Sequence, residues 1–142
     1  MSQANLAIIQ DGYAAFGRGD LEALIALMAE DVTIGIVGRA EDAPFFGLHH
    51  GKPGVRDFFR ELAAAHEIHL FEPTRFLAAE EKVFVWGHYR WTMRNSGVSK
   101  ESRWMHELSL RNGRVVEWLG HNDTAMLAAA YHGREGADRA AA

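Results

Sequence analysis

Apolar residues recur every three or four positions along the N-terminal part of the chain and every second position along much of the C-terminal half. The first spacing lines up one face of a helix, the second one face of a strand. Leu6, Ile9, Tyr13 and Phe16 form a helical stripe over residues 5–16, which Gly17-Arg18-Gly19 brings to a stop. Asp20 is a suitable cap for a second helix over 21–28, with Leu24, Leu27 and Met28 facing inward. The β-branched run 32–37 reads as a short strand. Residues 38–52, with glycines, a proline, an acidic pair and His49-His50, read as a loop. Pro53 fits the first turn of a third helix that runs to about Ala65 and buries Val55, Phe58, Phe59 and Leu62.

Strands follow. The first covers 68–78 and turns at Glu80-Glu81. The next, 83–93, carries Tyr89 and Trp91 on one face and Phe84, Trp86 and His88 on the other. Aromatics on both faces predict a strand covered on both sides, by helices on one and by a partner subunit as the natural candidate on the other. A polar hairpin loop spans 94–100. Beyond it Trp104, His106, Leu108 and Leu110 alternate with Arg103, Met105, Glu107 and Ser109. Asn112-Gly113 tolerates the positive φ of a tight turn, and 115–121 returns antiparallel. A short helix over 124–131 leads into an alanine-rich tail, expected to fray. The boundaries are one domain over 1–132 and a tail over 133–142. Helices segregated from a curved antiparallel sheet make an α+β fold, the helices closing over the concave side.

The 142 residues suffice for one domain with a sizeable core, and a net charge of −4 provides no basic face for nucleic acid. No apolar run approaches the ~18 residues that would span a bilayer. No basic segment followed by an apolar block opens the chain, so no signal peptide is expected and cytoplasm is the default location. With no cysteine there is no disulfide, thiolate nucleophile or cysteine metal site.

His106 is the strongest chemical clue, because an imidazole on the apolar face of a strand costs free energy unless it is partnered. His49-His50, His66 and His69 surround one helix, but adjacent histidines do not readily face one ion and no His-x-x-x-His pair sits on a predicted helix. No metal and no cofactor are expected. His49 belongs instead to a loop at the pocket mouth, where it would touch substrate or meet water. Ser96, Ser99, Ser102 and Ser109 lack a Gly-x-Ser-x-Gly elbow, so a serine nucleophile has no support.

The chain resembles the SnoaL-like branch (polyketide cyclase and ketosteroid isomerase-related) of the nuclear transport factor 2-like superfamily. The likeness is carried by Tyr13-x-x-Phe16-x-x-Gly19-Asp20-Leu21-Glu22-x-Leu24, Ala29-Glu30-Asp31-Val32, Gly51-x-x-Gly54-Val55-x-x-Phe58-Phe59, Trp104-x-His106 and Gly113-Arg114-Val115-Val116 with Asp123-Thr124-Ala125. It implies a cone-shaped roll around the N-terminal helices (cystatin-like), a deep apolar pocket, and a homodimer through the sheet's outer face. It also implies a small hydrophobic or cyclic ligand. The fold hosts dehydratases, isomerases, cyclases, epoxide hydrolases and pure binders, so it decides no reaction.

Residue by residue, the general-base position of the steroid isomerases falls on Ile36, which takes no proton, and their oxyanion tyrosine on Gly12, one short of Tyr13. Their second oxyanion donor falls on His106. The steroid isomerase mechanism is therefore not expected, and the strand at 101–110 lacks the aspartate an epoxide hydrolase of this fold needs. The expected pocket holds His106, Tyr13, Asn122, Asp123, Trp104 and Trp118, with Phe45 and Phe46 either lining or plugging it. His106 would shuttle a proton, Asp123 orient it, and Tyr13 or Asn122 polarise a carbonyl oxygen, in a cofactor-free lyase or isomerase. Each residue also has a plainer reading. His106, Tyr13 and the indoles would be core, Asp123 a helix cap and Asn122 a strand-end turn. The functional alternatives are a binder without turnover and an interaction module built on Phe84, Trp86, His88 and Arg90.

Overall fold

The computed structural model describes residues 2–134. Its elements are α1 (Ser2–Gly17), α2 (Leu21–Ala26), β1 (Met28–Ile36), β2 (Gly47–His50), α3 (Gly51–Ala65), β3 (His66–Ala79), β4 (Lys82–Met93), β5 (Ser99–Arg111), β6 (Arg114–Asn122) and α4 (Thr124–Tyr131). The strands form one sheet in the order β2-β1-β6-β5-β4-β3, curved and unclosed, an α+β architecture. No helix among the described residues is long and apolar enough to cross a membrane. Of the tail, Gly133 and Arg134 close the end of α4 through amides bonded to Ala130 and Ala129 carbonyls; the rest lies outside the described residues.

Three local differences from the sequence reading have physical causes. The sheet is mixed, because β1 pairs parallel with β6, Ile34 beside Trp118 and Ile36 beside Gly120. A period of two reports which face is buried and carries no strand direction. Met28 opens β1 instead of ending α2: the Leu27 carbonyl accepts from the Val115 amide and draws the chain into the sheet. Within 38–52, residues 47–50 form an edge strand on β1. A Cβ at Gly35 would stand 2.2 Å from the Gly47 carbonyl oxygen, so this pairing requires glycine there.

The alternation in β4 is realised as read. Val83, Val85, Tyr89 and Trp91 are buried inward, while Phe84, Trp86 and His88 remain half-buried on the outer face. Register shifts at Ile68/Leu70 and Pro73/Arg75 interrupt the β3–β4 ladder, and irregularities of this kind bend a strand. Into the resulting hollow α1 packs against β3 and β4, and α3 against β1.

Candidate functional site

The floor of the hollow is built from one glycine. Gly87 lies opposite Trp104 on the β4–β5 ladder, and a Cβ there would come within 2.2 Å of the indole. The bare backbone lets the Trp104 ring lie across the sheet. Phe71 stacks on that ring at 4.5 Å and 9°, and the His106 imidazole at 4.2 Å and 29°.

Two donors then reach His106 from different elements. The Tyr13 hydroxyl from α1 lies 2.5 Å from Nδ1, and the Trp118 indole Nε1 on β6 lies 3.1 Å from the same atom. An indole N–H only donates, so Nδ1 accepts and the ring proton sits on Nε2. Burial drives the Tyr13 hydroxyl well above its ordinary pKa, which keeps it protonated and able to donate. Burial also lowers His106 from 6.5 to about 3, with His121 adding to the effect. His106 is therefore a neutral imidazole whose Nε2–H has no partner among the described residues and, unlike the enclosed Nε1 of Trp104, is not closed off.

The cavity beside it measures about 80 Å³ and is largely apolar, walled by Phe16, Phe58, Phe71 and Ile36 among others. Its polar groups are few. The Asn122 Nδ2 donates to the Tyr89 hydroxyl at 3.3 Å, while Asn122 Oδ1 is buried without a partner. Tyr89 is pushed up to about 12, chiefly by burial. His66, 3% exposed, lines the same cavity with Nδ1 unpartnered. Its pKa falls to about 4, from burial first and the nearby Arg94 charge last, against a modest opposing effect of the Leu62 carbonyl. Among the described residues no carboxylate lines this cavity.

Of the residues singled out from sequence, Tyr13, His106, Trp118 and Asn122 meet around the cavity. Trp104 is behind His106 and supports it without lining the space. Three further expectations are corrected. Asp123 does not pair with His106: its exposed carboxylate caps α4 by accepting from the Met126 amide at 3.0 Å. His49 stands on β2 with Nε2 3.2 Å from Glu61 Oε1 and its ring against Phe58, outside the cavity. Phe46 is buried against Phe45 and beneath Gly38, also away from the cavity. Side-chain direction at a strand end or in a turn depends on local backbone angles that periodicity does not carry. No group of three or more His, Asp or Glu among the described residues is arranged to hold a metal ion.

Two contributors were read in the sequence without being assigned to the pocket. Tyr89 shares the inner face of β4 with Val83 and Val85, so the period of two alone would have found it. His66 is the junction of α3 and β3, where neither periodicity applies.

A SnoaL-like domain model matches residues 9–118. A nuclear transport factor 2-like protein of unknown function from Burkholderia pseudomallei is 30% identical, with 92% of this chain and 98% of that chain covered at a TM-score of 0.83. A nuclear transport factor 2-like protein from Burkholderia xenovorans is likewise 30% identical over 92% and 98%, with a TM-score of 0.81. TerC, co-crystallised with polyporic acid, is 20% identical over 91% and 98%, with a TM-score of 0.78. No functionally curated protein matches the chain in sequence.

Proposed function

The chain belongs to the SnoaL-like domain family, and on that premise we propose that it binds a small, ring-sized carbonyl compound whose oxygen accepts the Nε2–H of His106. The observation that carries this is the double acceptance at Nδ1, from Tyr13 and Trp118, which leaves Nε2–H as a fixed donor. With Nδ1 engaged by two donors and only Nε2–H left to give, the imidazole polarises a carbonyl and has no free lone pair with which to act as a base. The cavity volume suits a single ring better than a four-ring skeleton. That TerC, a protein of similar fold, was co-crystallised with polyporic acid supports a small-molecule reading.

With His106 as donor, an isomerase or lyase needs a separate proton acceptor. We assign this role to His66, the other imidazole lining the cavity, whose enclosed Nδ1 must first turn toward the ligand. Its neutral ring would take a proton from the carbon next to the carbonyl while His106 holds the developing enolate oxygen, and would return the proton to a second carbon. Tyr13 and Trp118 act here as positioning residues. The half-buried Phe84 and Trp86 support a homodimer through the sheet's outer face. A second reading, binding without turnover, is favoured by the lack of a carboxylate among the described lining residues.

Thermal shift and α-proton exchange in D2O, both with cyclic ketones, separate the readings. A ketone that stabilises the wild type and exchanges its α-protons, with exchange lost in His66→Phe, supports the enzyme. Stabilisation without exchange supports the binder. No stabilisation by any ketone removes the carbonyl reading.

A further inference from the structure

The cavity does not end at its apolar walls. Phe16, Phe59, Leu62, Ile68 and His66 line both it and an outer groove of about 700 Å³ between the ends of α1, α3 and β3. The groove adds Arg56, Arg60 and Arg94, and Glu67 is the one acid among the described residues of its lining. Each of these arginines faces an acid, Glu22, Asp57 and Glu67 in turn, so what the groove offers a ligand is the donors those pairs leave over.

The three arginines differ in what they have left to give. Arg56 uses both terminal nitrogens on Glu22. Arg60 gives Nη1 to Asp57 at 2.7 Å, and its Nη2 and Nε have no partner among the described residues. Arg94 donates Nε to the Ala63 carbonyl at 2.8 Å and sets Nη1 4.0 Å from Glu67, and its Nη2 has no partner among the described residues. Its backbone amide bonds to the Ala65 carbonyl, next to His66. The Arg94 guanidinium is thus tethered beside a buried histidine whose Nδ1 is unpartnered, where cavity becomes groove.

We propose that this groove is a carboxylate-binding subsite, in which Arg94 and Arg60 hold the anionic end of a ligand whose carbonyl-bearing ring occupies the cavity. A planar guanidinium with free N–H groups matches a carboxylate. The shared apolar wall gives a short methylene chain its path. The ligand class is therefore a monocyclic keto acid with the carboxylate one to a few carbons from the ring. The inference rests on the carbonyl reading above.

The test measures dissociation constants of acetophenone, 4-acetylphenylacetate, 3-(4-acetylphenyl)propanoate and 4-(4-acetylphenyl)butanoate, and the methyl ester of each acid. The expected result is one acid binding about tenfold tighter than its own ester, in line with an exposed charge-assisted pair. That ratio should shrink as salt is raised and collapse toward one in Arg94→Gln. Arg60→Gln, on an exposed helix face, should lower it too and serves if the Arg94 variant folds poorly. Equal affinity of acid and ester at every length overturns the subsite, while acetophenone binding keeps the carbonyl reading standing. An acid advantage that survives both substitutions also overturns the subsite. If neither acetophenone, acids nor esters bind, both readings fall.

Discussion

The Trp118 indole N–H and the His106 Nδ1, 3.1 Å apart, decide the chemistry of the pocket between them. An N–H that can only donate makes its partner nitrogen an acceptor, and the imidazole proton is thereby sent to Nε2. A residue that would have been the proton shuttle becomes a donor. The 15N shifts of His106 should accordingly report the Nε2–H tautomer and stay constant from pH 8 down to about 5. An inflection near the ordinary histidine value of ~6.5 would contradict this assignment.

Removing the ring should cost stability as well as binding. His106→Ala leaves the Trp118 N–H and Tyr13 O–H without an acceptor and opens a void against Trp104. The expected loss is about 2–4 kcal/mol by chemical denaturation. His106→Gln retains an acceptor and should lose less. Equal losses would mean that the two hydrogen bonds contribute nothing.

Acid should destabilise the fold earlier than its carboxylates explain. His106 at about 3 and His66 at about 4 stay neutral in the folded protein, whereas both take up protons near pH 6.5 once unfolded. The unfolded state binds more protons throughout the interval, so stability is highest above about pH 6.5 and falls as pH drops toward 3. Two groups give a slope of at most about 2.7 kcal/mol per pH unit. Denaturation midpoints from pH 7 to 5 check this, and His106→Gln should roughly halve the slope.

Gly87→Ala tests the floor of the site. The added methyl would stand 2.2 Å from the Trp104 ring and 2.4 Å from the Glu72 carbonyl oxygen. We expect a loss of about 3 kcal/mol, with ketone affinity falling because His106 stacks on that indole. A variant of native stability would show that the strands part easily here.

Asp123 provides a contrast. Asp123→Ala should cost about 1 kcal/mol through loss of the α4 cap while ketone binding is retained, and Asp123→Asn should restore most of the stability. An abolished ketone affinity at unchanged stability would return Asp123 to the site.

The proposed dimer makes its own prediction: Trp86→Arg on the outer face should shift the sedimentation profile from dimer to monomer. The Arg75 guanidinium lies 5.2 Å from the Trp86 ring centre, so the substitution also sets two like charges together. A wild type that sediments as a monomer at every concentration would dispose of the dimer.

The alternation of apolar and polar residues was enough, by itself, to determine the helix stripe through Tyr13, the inner faces of β4 and β5, the hairpin at Asn112-Gly113, and His106 among hydrophobic neighbours. These are local properties, because period and turn chemistry are written within a dozen residues. What faces His106 is not local. Tyr13 is 93 positions away, and its hydroxyl reaches Nδ1 only once the bent sheet has received α1 against β3 and β4. The parallel joining of β1 to β6, the capping role of Asp123, the exclusion of His49 and Phe46, and the arrival of His66 beside Arg94 were likewise settled by tertiary packing. Burial pattern specifies which face is inward; register, curvature and close approach at Gly35 and Gly87 specify which side chains then touch.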